Sequence, residues 1–220
     1  MARPSTNLDK KMLEAGVKII IKDGVNGLTA RNICKEADVN LGMFNYYFKS
    51  KDYYITLLYS LIHKDIEDFI NVASMDDKPS LVKLKQTLSR LNEYTKKNPE
   101  LSEAMFADVF HRYNDYKRYM EEGIIPNFRL FIQLIAEAQK DGYLRKDWSV
   151  IEMFAFIFFG GLVPEMYSNH LDDILRLYKY KEAKSPTKSN FARRMDLIFN
   201  ELESVDMHDF VEFSQIGTGS

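Results

Sequence analysis

Cysteine is nearly absent from this 220-residue sequence, in which Cys34 stands alone. No intramolecular disulfide can form, and no Cys/His cluster has the spacing of a zinc site. A chain of this length can bury a core without such staples. Long apolar runs are missing too. The most apolar stretch, Met153 to Pro164, is too short to span about 30 Å of hydrocarbon and reads as a buried helix. Met1 to Lys11 are polar and charged, without the apolar segment of a secretory leader. A soluble, cytoplasmic protein with no membrane partner is expected. Strand alternation, internal repeats and glycine-rich phosphate loops are also lacking. So are the groupings that an enzyme built on a helical bundle needs. There is no Glu-x-x-His pair, nucleophile elbow or catalytic cysteine setting. His63, His111, His170 and His208 are scattered singly. Catalysis, metal and cofactor are therefore not expected.

What is present is ordinary in bulk, with 45% hydrophobic and 28% charged residues. The formal charge of −2 hides an asymmetry. Through Lys51 there are nine Lys/Arg against five Asp/Glu, leaving 21 against 27 in the remainder. A basic front end suits an anionic partner.

Helical periodicity dominates, and the fold class read from it is all-α. Asp9 starts a first helix in which Leu13, Gly16, Val17 and Ile20 recur at helical spacing, and Asp23-Gly24 closes it. Thr29 is a good cap for a short second helix with Ala30, Ile33, Cys34 and Ala37 inward, Cys34 serving as a small core residue. After Asp38-Val39, Asn40 caps a third helix, Leu41 to Phe48, and Ser50 a long fourth, Lys51 to about Val72. Further helices are predicted at about 80–97, 100–113, 115–140, 148–177 and 187–203, with Pro126 kinking or dividing one of them. The expected domains are 1–52, 53–205 and a loose tail, 206–220.

Two short helices joined by a tight turn in a basic N-terminal segment make a DNA-reading candidate. On a helical wheel Leu41, Phe44 and Phe48 share one face of the third helix. Gly42, Met43, Tyr46 and Tyr47 take the opposite face, with Asn45 to the side. The run Tyr46-Tyr47-Phe48-Lys49-Ser50-Lys51-Asp52 resembles the signature of the TetR family at the end of its reading helix. The resemblance extends back through Gly42, Ala37-Asp38-Val39, Ile33, Leu28-Thr29 and Gly24. It covers about Leu8 to Leu58.

That resemblance implies a homodimer reading a pseudo-palindromic operator in double-stranded DNA, one third helix in each major groove. Met43 is placed for a thymine methyl and Asn45 for adenine edges. Gly42 permits close approach, and Tyr46 and Tyr47 occupy groove and phosphate positions. Lys51 matches a phosphate-binding lysine at a helix N-terminus. Arg31 matches a second-helix contact; Thr29, Asn40 and Leu41 complete the expected DNA-facing set. Leu41 and Asn45 depart from the usual residues of the family, so the operator is not given by the resemblance.

Aromatic residues recur at helical spacing further on: Phe106, Phe110 and Tyr113; Phe128 and Phe131; Phe154 and Phe158. Each suits core filling. Together, on the resemblance, they imply a cavity for a small apolar effector whose binding releases the DNA. The final stripe of Phe191, Met195, Ile198, Phe199 and Leu202 is the expected dimer interface. Gly160-Gly161 allows a close crossing or a bend. The alternatives are a constitutive DNA-binding protein without effector and a helical-bundle enzyme.

Overall fold

The structure is a computed structural model, and it describes residues 7–71, 77–111, 125–167, 177 and 190–204. Among these residues it is all helical, with one isolated backbone bridge, Leu144 to Glu203. The helices are α1 (Leu8–Asp23), a single 3-10 turn (Val25–Gly27), α2 (Ala30–Glu36), α3 (Leu41–Phe48), α4 (Lys51–Asn71), α5 (Ser80–Lys97) and α6 (Pro99–His111). Then come α7 (Ile125–Lys140), α8 (Val150–Ile157), a π turn (Phe158–Leu162), α9 (Val163–Met166) and α10 (Phe191–Leu202).

The chain packs as two units. Met1–Asp65 with Glu100–Pro126 form one, and Ile66–Pro99 with Asn127–Ser220 the other. The first residues of α4, a continuous helix from Lys51 to Asn71, contribute Tyr54 to the core of the first unit. The expected tail from Asp206 lies outside the described residues.

Local chemistry explains the first unit. The Thr29 hydroxyl accepts from Asn32 N–H (3.1 Å) to start α2, and Asn40 Oδ1 accepts from Gly42 N–H (2.9 Å) to start α3. Between them Asp38 takes a left-handed conformation, φ 54°. Val39 N–H then returns to the Cys34 carbonyl and Asp38 N–H to that of Lys35, which ends α2 with its carbonyls satisfied. Beneath lie Phe44, Phe48 and Tyr54, their ring centroids 4.8 to 5.4 Å apart. The Tyr54 hydroxyl donates to the Met12 carbonyl at 2.6 Å. Burial pushes the Tyr54 phenol far up its titration range. A Cβ on Gly16 would come within 2.1 Å of that hydroxyl oxygen, so only glycine lets α1 lie this close.

In the second unit Ser149 and Glu152 form a reciprocal capping box at the start of α8. The predicted single helix over 148–177 is interrupted. Val163 N–H reaches the Phe158 carbonyl, five residues back, and the π turn falls on Gly160-Gly161 just before Pro164, whose nitrogen has no hydrogen to donate. Pro126 sits in the first turn of α7, where a missing N–H costs nothing. A buried ion pair, Lys85 Nζ to Glu203 Oε1 at 2.6 Å, ties α5 to the residue that ends α10. Arg145 N–H donates to the Leu202 carbonyl and Ser204 N–H to that of Tyr143, fastening the same helix end to the loop after α7.

The stripe Phe191, Met195, Ile198, Phe199 and Leu202 is buried within the chain itself. It is core, not a surface offered to a second copy. The reason is close packing at the π turn: a Cβ on Gly161 would stand 1.5 Å from Met195 Cε, and one on Gly160 3.1 Å from Ile198 Cδ1. The exposed large apolar groups on these elements are Ile151, Phe156, Phe159 and Leu197.

Candidate nucleic-acid interface

With Phe44 and Phe48 committed inward, Leu41, Gly42, Asn45 and Tyr46 of α3 face out. Tyr46 is 76% exposed and Leu41 47%. Asn45 and Gly42 are exposed as well, while Met43 and Tyr47 are half-buried. Leu41 therefore corrects the wheel, which grouped it with the two phenylalanines. Helical side chains lean toward the N-terminus, so a first-turn residue overhangs the helix end and misses the core beneath. Tyr46 and Tyr47 pack edge to face, centroids 5.1 Å apart, which fixes the aromatic surface.

Gly42 is not required by packing. The nearest atom to an added Cβ is Asn40 Oδ1 at 3.4 Å, an ordinary contact, so open space lies over this turn. Thr29 and Arg31 are exposed at the start of α2. Thr29 and Asn40 hold their helix ends through the bonds given above. Asn32 adds a brace, donating from Nδ2 to the Gly27 carbonyl at 3.0 Å.

Lys51 opens α4 and is exposed. The Ser50 hydroxyl accepts from Tyr53 N–H at 3.1 Å, setting the helix N-terminus beside the lysine. Backbone N–H groups and ammonium then favour the same anion. Lys49, in a left-handed conformation with φ 55°, is exposed next to them. Tyr53 is exposed on the same first turn. Sequence reasoning did not single it out, although an aromatic residue two places after a capped lysine was available as a signal. Elsewhere in the unit Lys10 pairs with Glu14 and Lys18 with Glu36, both on the surface.

The expected effector residues are distributed differently from the reading head. Phe106 is half-buried on α6, and the Phe110 side chain and Tyr113 lie outside the described residues. In the second unit Phe131 is buried; Phe154 and Phe158 stack, and Phe128 meets both edge to face, with centroids 5.3 to 5.5 Å apart. A shallow open pocket lies elsewhere, against Asp147, Trp148 and Glu152. No helix among the described residues is long and apolar enough to cross a membrane.

Residues 12–53, from the middle of α1 to the first turn of α4, match the N-terminal domain of the tetR family of bacterial regulatory proteins. That segment is a tetR-family N-terminal domain. The chain is 29% identical over 132 residues, 59% of its length, to the HTH-type transcriptional regulator PksA of Bacillus subtilis (strain 168). The match spans 64% of that relative's length. In fold the chain is similar to the fatty acid degradation regulator FadR of Bacillus halodurans, at 17% identity and a TM-score of 0.61, over 90% of this chain and 96% of that one. It is also similar to the ketosteroid transcriptional regulator KstR2 of Mycobacterium tuberculosis, at 13% identity and a TM-score of 0.60, over 89% and 95%.

Proposed function

We propose that the protein is a transcriptional regulator that grips a pseudo-palindromic operator as a homodimer in the cytoplasm and lets go when a small apolar effector binds. It carries out no catalysis. The observation that carries the reading is α3. A helix of eight residues, capped at its start and anchored by Phe44 and Phe48, leaves Leu41, Gly42, Asn45 and Tyr46 outward. Lys51 stands at the N-terminus of the next helix. Outward groups of α3 select bases and Lys51 holds a phosphate, the division of labour that readout of a duplex requires. Selection from a randomised duplex library should return an inverted repeat; enrichment of single half-sites alone would count against the dimeric reading.

The apolar effector is supported by the aromatic second unit, and by relatives named for fatty acid degradation and for ketosteroids. The contact with a second copy belongs on the outward groups of α8, the π turn and α10, Phe156, Phe159 and Leu197 with Ile151, since the inward stripe is already covered. Leu197 is 62% exposed and lies on the side of α10 away from the core residues. Repression relieved by the effector is the regulatory sign we assign.

A further inference from the structure

The inner stripe of α5 changes character along its length. Leu81, Leu84 and Leu88 fill its first turns, as a core requires. At the next positions of the same stripe the sequence places Asn92 and Thr95, which are 5% and 3% exposed. Asn92 Oδ1 and Thr95 Oγ1 are both shut off from solvent, and neither makes a hydrogen bond among the described residues. Thr87 on the same helix provides the contrast, because its hydroxyl bonds back to the Lys83 carbonyl at 2.8 Å. Thr95 does not take that local solution. A buried polar group without a partner is costly, and two on one face, where leucine would pack, require an explanation.

We propose that Asn92 and Thr95 form the polar end of a ligand site that takes a neutral, hydroxyl-bearing apolar molecule. Positions three apart on a helix face stand about 5–6 Å from each other. A single hydroxyl oxygen making two hydrogen bonds of about 2.8 Å at a roughly tetrahedral angle joins two oxygens about 4.6 Å apart, a separation that side chains on neighbouring positions of one face can present. It donates its proton to Asn92 Oδ1 and accepts from the Thr95 hydroxyl, so each group receives the partner that its chemistry asks for. Neither side chain carries a charge to match an ion. The buried cation of α5, Lys85, is committed to Glu203, and Arg194 is committed to Glu165. An anionic ligand would thus be buried without compensation. The leucines of the preceding turns supply the apolar wall. This inference rests on the effector-responsive reading and gives that effector its polar contact.

The test uses the full chain with three probes, 1-octanol, its methyl ether and octanoate. Affinity is followed by calorimetry, with thermal melts of wild type, Asn92→Leu and Thr95→Val. We expect 1-octanol to bind about tenfold more tightly than the ether or octanoate, a difference of one good hydrogen bond. Asn92→Leu should erase that preference while leaving ether binding in place, and Thr95→Val should weaken alcohol and ether alike. Both variants should melt above wild type without any probe, since each replaces an unpaired polar atom by a packed one. No binding of 1-octanol, equal affinity for alcohol and ether, or an alcohol preference that survives Asn92→Leu overturns the site. So does a lower melting temperature of both variants, which means that the polar atoms are paired within the fold. Release from library-selected DNA separates the two readings. Octanol that binds through these residues and leaves the DNA in place overturns the effector reading and keeps the site. DNA release by an apolar compound that is indifferent to both substitutions keeps the effector reading and overturns the site.

Discussion

Lys51 and Asn45 are six positions apart in sequence, at the start of α4 and within α3, yet they are expected to fail in different ways when changed. Lys51→Ala should weaken binding to all duplexes about equally and reduce the slope of log K against log salt by roughly one unit. Titrations at several salt concentrations measure it, and an unchanged slope would remove the phosphate assignment. Asn45→Ala and Leu41→Ala should shift the preferred sequence far more than the nonspecific affinity, measured on a randomised library. Neither should lower the melting temperature, because both side chains are exposed. His63 makes a different kind of prediction. Its burial holds the imidazole at about 4, below the ordinary 6.5. As pH falls through that interval the unfolded chain takes up the proton first, so stability is lost on the way down, on the order of 3 kcal/mol in all. Below about 4 the loss levels off. Urea melts between pH 7 and 4 should show it, and His63→Gln should flatten it.

Caps decide the short helices. Seven residues of α2 and eight of α3 are too few to hold a helix by propensity. Thr29→Ala should therefore cost about 1 kcal/mol in a denaturant melt. This is why the reading head was legible in the sequence: Thr29, Asn40, Ser50 and the Asp38-Val39 turn act within a few residues, and local chemistry can be read locally. Leu41 was misplaced because a wheel records angle and ignores that side chains lean toward the helix start. The stripe on α10 was legible as a stripe, but amphipathicity says only that one face is covered. Whether the cover is a second copy or the chain's own π turn depends on Gly161 meeting Met195, a contact between residues 34 positions apart. The interruption at Phe158–Leu162 was hinted at by Gly160-Gly161 and Pro164, though a five-residue return has no signature of its own. Asn92 and Thr95 passed unnoticed because their oddity appears only once the leucines ahead of them are seen to be buried.

For the whole molecule, the outward apolar groups make the assembly testable. Phe159→Asp with Leu197→Asp should yield a folded monomer by light scattering, whereas a charge at the buried Phe199 should unfold the chain outright. A dimer that survives the first pair would move the interface elsewhere. The Lys85–Glu203 pair carries a different implication, for how the protein is made. Lys85 and Glu203 are 118 positions apart and both buried. On a ribosome adding about 5–20 residues each second, the lysine waits roughly 6–24 s for its partner to be synthesised. The first unit needs nothing beyond α6 and the residues that directly follow it, so it has what it needs earlier. Glu203, which pairs with Lys85 of the second unit, leaves the exit tunnel only with nearly the last described residue. A nascent chain stalled before Glu203 should accordingly be cut by protease within 66–99 and 127–202 while the DNA-reading head resists, and release of the stalled chain past Ser204 should close that window.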